Sequence, residues 1–237
     1  MGYTLLLLGF LLGMRHATEA DHLAAMATIA SRSDTLRGAA LQGAAWGVGH
    51  TITLLIFGGV ALIIGGAIPD AYAHGLEALV GLMLIGLGID LLRQMRRRRI
   101  HFHRHAHEDG VHHFHAHAHR AGEPHDPTAH HHPHPNHLPG RALFIGLMHG
   151  VAGSAALILL VASRTHDLPA ALTYILLFGL GSVLGMALLS VVIMLPMRAI
   201  QTQGLGRFWR GAQGGVALFT IVLGGEIIWR NLVGVMG

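Results

Sequence analysis

The sequence predicts an all-α polytopic membrane protein, and three observations lead to this fold class. Apolar residues make up 52% of the 237 residues, charged residues only 12%, and the mean hydropathy is +0.51. The 33 glycines suit closely packed membrane helices. Six stretches are long enough to cross about 30 Å of hydrocarbon as helices. These six expected transmembrane helices are residues 5–29, 39–68, 74–93, 141–162, 169–194 and 211–232.

The composition divides the chain into three parts, namely a first helical half (1–93), a polar segment (94–140) and a second helical half (141–237). The polar segment opens with four consecutive arginines, and residues 101–137 hold 15 of the 21 histidines. It also contains five prolines and almost no apolar residues, so it cannot bury a core. We expect a His-rich loop that is disordered without metal and binds divalent ions loosely.

The positions of the arginines predict the orientation in the membrane. Arg32 and Arg37 follow the first span, residues 96–99 follow the third, and Arg198 follows the fifth. Because arginines concentrate on the cytoplasmic side, the His-rich loop should be cytoplasmic and both termini periplasmic. The first segment lacks a basic leader and a clear cleavage site, so we expect a retained span in a bacterial inner membrane.

The two halves resemble each other weakly. Residues 13–16 align with residues 146–149, and residues 46–50 align with residues 178–182. Three spans per half is an odd number, so the repeats would have opposite topologies. A 3+3 inverted repeat with a binding site at the interface is typical of transporters. Glycine-rich alignments also arise by chance in apolar sequence.

The first span contains a candidate metal site. His16, Asp21 and His22 lie within a hydrophobic stretch, where ionisable side chains usually face a functional cavity. Two imidazoles and a carboxylate suit nickel, cobalt or zinc. On one straight helix, however, His16 and His22 would point about 120° apart. Either the helix unwinds near residues 17–20, or the ligands surround a wide cavity to which other spans contribute.

Two other histidines are further candidate ligands. His50 lies in the middle of the second span, next to small residues that permit close helix approach. The alternative role for His50 is a hydrogen bond between helices. His149 occupies the position equivalent to His16 in the second half, and there a ligand and a packing role are equally plausible. We expect Asp90 and Glu226, each followed by an arginine, to form surface ion pairs.

Residue types that the chain lacks exclude several functions. Without lysine there is no Walker A phosphate loop, and without cysteine there is neither a disulfide nor a thiolate metal site. There is no H-E-x-x-H protease motif. The arginines lie beside membrane segments, so they indicate topology rather than nucleic-acid binding. We therefore expect a protein that is not an enzyme and has no organic cofactor.

The motif of His16, Asp21 and His22 in one span, with Gly49-His50-Thr51 in the next, resembles the nickel/cobalt transporter family. The resemblance implies that His16, Asp21, His22 and His50 recognise and translocate the metal. Larger members have eight spans, with the motif in the second span and an L-G-x-D-T-x-T-E type motif in the second half. This chain instead resembles the shorter six-span branch of urease-accessory nickel permeases and nickel/cobalt efflux proteins.

These observations predict a secondary permease that takes up Ni²⁺, with Co²⁺ as a further candidate substrate. Efflux is the alternative, because the His-rich loop is similar to that of the efflux members. An intramembrane serine protease using Ser154 would leave the first-span motif without a role. A membrane protein that senses metal is another alternative. The expected partners are the metal ion, the lipid bilayer and a cytoplasmic nickel chaperone at the His-rich loop, while the oligomeric state stays open.

Overall fold

The computed structural model describes residues 3–31, 33, 35–64, 70–97, 100–106, 112–118, 139–162, 167–202 and 206–236. Within these residues the chain forms seven helices and one two-stranded antiparallel hairpin. The elements in chain order are α1 (Tyr3–His16), α2 (Ala20–Ala30), α3 (Leu36–Ile64), α4 (Asp70–Arg97), β1 (Ile100–Ala106), β2 (His112–Ala118), α5 (Gly140–Ala162), α6 (Leu168–Thr202) and α7 (Gly206–Met236).

The first hydrophobic segment forms two short helices rather than one. Helix α1 ends at His16, and Glu19 is extended (φ −64°, ψ 150°) before α2 begins. The backbone N–H of Thr18 and its hydroxyl both donate to the Arg15 carbonyl oxygen, at 2.9 and 2.7 Å. A threonine hydroxyl offers the backbone an alternative to the helical ladder. Unwinding near residues 17–20, one of the two predicted alternatives, is thus what the structure has.

In the part of the chain that the structure describes, four helices are long and apolar enough to cross a membrane, namely the segments Leu36–Ile64, Ala73–Arg96, Leu168–Pro196 and Arg210–Val233. Helix α6 shows the arrangement best, because Leu176, Leu180, Leu184 and Leu188 follow one another at every fourth residue and are 43–51% exposed. Polar side chains such as Ser182 lie inside instead. An apolar exterior around a partly polar interior is the arrangement of a helical membrane protein.

The helices pack in pairs, with α1 against α6, α5 against α3, α3 against α6 and α4 against α7. Glycines allow the backbones to approach closely at these crossings. A methyl group added at Gly13 of α1 would overlap the carbonyl oxygen of Phe178 on α6. A methyl group added at Gly146 of α5 would overlap the carbonyl oxygen of Trp46 on α3.

Hydroxyl groups form hydrogen bonds between these packed helices. Thr51 donates to the carbonyl oxygen of Gly179 at 3.1 Å, and Thr53 donates to that of Leu147 at 3.0 Å. Ser182 donates to the carbonyl oxygen of Gly13 at 3.2 Å. Hydrogen bonds of this kind are used for association between membrane helices, where hydrophobic driving force is weak. They hold α1, α3, α5 and α6 together around the centre of the molecule.

The hairpin lies within the His-rich loop, for which the sequence predicts no stable structure. Strands β1 and β2 pair antiparallel, with His103 opposite His115. Histidine at about every second position gives these two stretches the period of a strand. Residues 98–99, 107–111 and 119–138 lie outside the described residues, and there disorder stays a prediction.

The two acidic residues near the helix ends form ion pairs, one of them with an unexpected partner. Glu226 pairs with Arg230 one turn later at 3.3 Å, as predicted. Asp90 of α4 pairs with Arg141 of α5. The spacing along one helix favoured Arg93 as its partner, but contact between two helices brought Arg141 within reach. Asp90 therefore connects the first helical half to the second.

Candidate metal centre

The break between α1 and α2 positions the motif of the first hydrophobic segment. His16 is the last residue of α1, and Asp21 and His22 lie in the first turn of α2. Because the helix is interrupted between them, the 120° divergence expected on a straight helix does not apply. Helix α3 contributes His50 and helix α5 contributes His149, so the structure brings all five predicted ligands together.

Three of these five side chains are deeply buried. The exposed fraction is 1% for His22, 0% for His50 and 1% for His149. Asp21 and His16 are partly exposed, next to the exposed residues of the break. Buried imidazoles and a carboxylate are costly in a low-dielectric interior unless they have partners. The interactions of each side chain therefore indicate what the cluster can hold.

His16 and His50 approach each other through their Nε2 atoms, which lie 3.2 Å apart. The Nδ1 atom of His16 lies 3.0 Å from Oε1 of Glu19. Since a carboxylate can only accept, Nδ1–H of His16 donates to Glu19 and leaves the Nε2 lone pair directed toward His50. Two nitrogens bound to one ion at 2.0–2.1 Å lie about 2.8–3.0 Å apart in octahedral geometry and about 3.3–3.4 Å apart in tetrahedral geometry. The observed distance fits a shared metal ion.

The carboxylate of Asp21 joins the other two histidines. Nδ1–H of His22 donates to Oδ1 at 3.0 Å, and Nε2–H of His149 donates to Oδ2 at 2.9 Å. Among the described residues, three buried imidazole nitrogens have no hydrogen-bond partner, namely Nε2 of His22, Nδ1 of His50 and Nδ1 of His149. Buried polar atoms are rarely left without partners. A carboxylate that orients imidazoles, whose other nitrogens stay free, is the usual arrangement around a protein-bound metal.

The potential ligand atoms fall into two overlapping sets. In each set, one atom per residue lies within 4.8 Å of the corresponding atoms of the other two. The first set is His16, His22 and His50, and the second is Asp21, His22 and His149. His22 belongs to both. The second set combines residues from the two halves of the chain, which sequence spacing alone did not establish.

Two aromatic residues that the sequence analysis did not select contact the histidines. The ring of Trp46 stacks on His22 with centroids 5.6 Å apart and meets His149 edge-on at 5.5 Å. The ring of Phe178 lies 5.3 Å from His16. Both aromatic residues occur in the aligned segments 46–50 and 178–182, at equivalent positions, and that equivalence was the signal that could have identified them.

Residues 2–207 match the model of the NicO family, described as high-affinity nickel-transport protein. The chain belongs to this family. The urease accessory protein UreH of Bacillus sp. (strain TB-90) is 37% identical to it over 193 residues, which cover 81% of this chain and 77% of UreH. No solved structure matches the chain. The NicO protein is thus a multi-pass membrane protein of nickel transport, as the resemblance in the first half implied.

The donor atoms of this NicO protein suit nickel as a transported substrate. Imidazole nitrogens bind Ni²⁺ well, and a carboxylate adds a negative charge that offsets part of its double positive charge. A carrier must also release its ion, so its ligands should not hold the ion in one rigid coordination shell. In the structure these histidines hydrogen-bond to one another and to Asp21.

Proposed function

We propose that the chain is a secondary permease that takes up Ni²⁺ across the inner membrane of a bacterium. In this proposal the ion is bound by His16, Asp21, His22, His50 and His149. One observation carries the proposal: these five side chains converge at a helix break, and three of their buried nitrogens lack a partner among the described residues. Family membership supports nickel as the substrate.

The location of the cluster supports a carrier rather than a static metal site. It lies where a broken helix of the first half meets α5 of the second half. Irregular backbone within a membrane protein is tolerated where it is buried in protein or lines a cavity. Broken helices at the interface between two halves are the usual substrate sites of secondary transporters. We infer that the halves rock about this cluster and expose it to each side in turn.

Matched contacts support an inverted repeat of three spans in each half. Gly13 packs against the backbone of Phe178, while the aligned Gly146 packs against the backbone of the aligned Trp46. The same exchange relates the ring contacts, since His16 meets Phe178 at 5.3 Å and the aligned His149 meets Trp46 at 5.5 Å. Chance alignment of glycine-rich segments does not account for contacts that correspond in pairs. We propose a pseudo-two-fold axis that passes near His22.

In the proposed topology, α1 and α2 together form the first of six spans, and α5 forms the fourth. The exposed residues Leu7, Leu8 and Leu11 on α1 suit a lipid-facing surface. The arginine distribution supports periplasmic termini and a cytoplasmic His-rich loop. A loop on that side could receive arriving nickel and pass it to a cytoplasmic nickel chaperone.

Uptake is the direction that the comparisons support better. High affinity, which the family description names, suits a carrier that collects a trace ion from outside. A relative named as a urease accessory protein is consistent with supply of metal to the cytoplasm. Efflux is the second candidate, because 15 histidines in one cytoplasmic loop could collect excess metal for export. Cobalt is a further candidate substrate, since imidazole and carboxylate ligands discriminate little between the two ions.

Radioactive nickel content in cells tests the proposal and its direction together. Nickel content is followed over time in cells that express the chain or its His16→Ala variant. The cells start either without nickel or preloaded with it. Faster accumulation with the unaltered chain alone establishes uptake and requires His16. Faster loss from preloaded cells establishes efflux instead. If cells with either chain match cells without it under both conditions, nickel transport by this chain is refuted.

A further inference from the structure

His22 lies between two histidines that occupy equivalent positions in the two halves. Its ring centroid is 4.4 Å from that of His16 and 4.2 Å from that of His149. His16 and His149 belong to the aligned segments 13–16 and 146–149. The ligand common to both sets is thus nearly equidistant from one histidine of the first set and one of the second.

The two sets therefore have a definite geometric relation. The first set consists of His16, His22 and His50, and its His16 contacts Phe178. The second set consists of Asp21, His22 and His149, and its His149 contacts Trp46. If the halves form an inverted repeat, the side of His16 and the side of His149 face opposite membrane surfaces. An ion that moved from one set to the other would pass the middle of the molecule while it stayed bound to His22.

We propose that nickel occupies two alternative positions in succession, the first formed by His16, His22 and His50 and the second by Asp21, His22 and His149. This inference rests on the proposed function and adds a path within the same cluster. His22 is the ligand that the ion keeps throughout. The ion exchanges His16 and His50 for Asp21 and His149, so each of these four residues belongs to one position only.

The chemistry of one imidazole makes the two positions mutually exclusive. Nδ1–H of His22 donates to Asp21, which leaves Nε2 as the free lone pair of that ring. One lone pair binds one ion, so two ions cannot both be held by His22. In the second position the ion takes the place of the two hydrogens that Nδ1 of His22 and Nε2 of His149 donate to Asp21, and each ring then carries its proton on its other nitrogen. The cluster should thus hold one Ni²⁺ per chain.

Equilibrium binding to the purified full-length chain tests the two positions. The loop histidines would obscure the result, so the 15 histidines at 101–137 are replaced by serine, and transport by this background chain is verified first. Nickel affinity and stoichiometry are measured by calorimetry, and the number of bound imidazoles by X-ray absorption. His22→Ala, His50→Ala and His149→Ala are compared, with His74→Ala as control, because His74 bonds to Asn231 away from the cluster.

The two positions predict unequal effects of the three variants. His50→Ala and His149→Ala each leave one complete set, so each still binds one Ni²⁺, with fewer imidazoles in His50→Ala than in His149→Ala. His22→Ala breaks both sets and should lose more affinity than either of the other two variants. The loss should exceed the factor of about 10 to 100 that results from changing groups that only orient the ligands. Both single-set variants should bind nickel yet fail to transport it, because the path needs both positions.

Three results would overturn the inference. Binding of two ions per chain would show that His22 is not shared. Equal loss of affinity in all three variants, with one imidazole fewer in each, would show a single position that uses every ligand. Transport at the unaltered rate by His149→Ala would remove the second position from the path. A background chain that neither binds nor transports nickel would refute the proposed function itself.

Discussion

The Nε2 atoms of His16 and His50 lie 3.2 Å apart, although 34 residues separate the two histidines in the chain. Without an ion, this distance is a hydrogen bond in which one nitrogen donates and the other accepts. With an ion, the same distance fits two ligands of one metal. The pair is thus arranged so that Ni²⁺ can replace a hydrogen with little movement of the helices.

This pair predicts that the two histidines act as one unit. His16→Ala and His50→Ala should each reduce nickel uptake to the level of cells without the transporter. The double variant should be no worse than either, because effects of groups that act on one ion are not additive. Uptake of radioactive nickel at equal amounts of membrane-inserted protein is the measurement. Independent losses that multiply in the double variant would show that the two side chains act at separate places.

Asp21→Asn should weaken nickel binding while the protein still inserts. The substitution removes a negative charge. In Asp21 both carboxylate oxygens accept hydrogen bonds, one from His22 and one from His149, whereas an asparagine amide has only one oxygen that can accept. Changes to a carboxylate that orients metal-bound imidazoles cost about 10- to 100-fold in affinity. The concentration of nickel that gives half-maximal uptake is the readout. Asp90→Asn is the matched control, since Asp90 pairs with Arg141, and an unchanged value in Asp21→Asn would argue against Asp21.

Gly146→Ala should destabilise the folded protein. The added methyl group would overlap the backbone carbonyl of Trp46, and overpacking of this kind costs about 1–3 kcal/mol. Gly86→Ala on α4 is the control, because an added methyl group there meets nothing within 4 Å. The control should keep or slightly raise the thermal midpoint, since alanine favours helix by about 1 kcal/mol over glycine. Equal midpoints for the two variants in detergent would contradict the close approach of α3 and α5.

The orientation derived from the arginines can be tested by labelling. A cysteine introduced at Ala121, in a chain that otherwise has none, should react with an impermeant maleimide only after the cells are opened. Labelling in intact cells would place the His-rich loop outside and reverse the proposed topology. A cysteine introduced at Gly2 should give the opposite pattern in the same experiment.

Deletion of residues 101–137 should leave transport measurable. None of the five proposed ligands lies in this segment, so the deletion should alter apparent affinity or regulation instead. Initial rates over a range of nickel concentrations separate these effects. A deletion variant that inserts but transports nothing would place the loop on the obligatory path.

The sequence predicted the membrane class and the family, whereas the arrangement of the candidate ligands required the structure. His16, Asp21 and His22 stand out in hydrocarbon because ionisable residues there are costly. That all three point into one cluster depends on the turn at Thr18, a local competition for the Arg15 carbonyl that periodicity does not show. His149 was an even choice from its position in the repeat. Only its distance of 2.9 Å from Asp21 gives it a definite neighbour.

Other differences arise from contacts between helices. Arg93 was the nearest arginine to Asp90 along the chain, but the packing of α4 near α5 favoured Arg141. Trp46 and Phe178 looked like ordinary apolar residues, since nothing in their type indicates contact with histidine rings. Histidines alternate with other residues along β1 and β2, which is the period of a strand, although the high histidine content of the segment did not suggest strands.

Nickel flux into vesicles tests the central claim most directly. The purified chain, its His22→Ala variant and its His74→Ala variant are each reconstituted at equal density with a nickel-sensitive dye inside. We predict saturable flux for the unaltered chain and His74→Ala, and flux at the level of protein-free vesicles for His22→Ala. Flux through His22→Ala at the unaltered rate would contradict the claim that this cluster carries the ion.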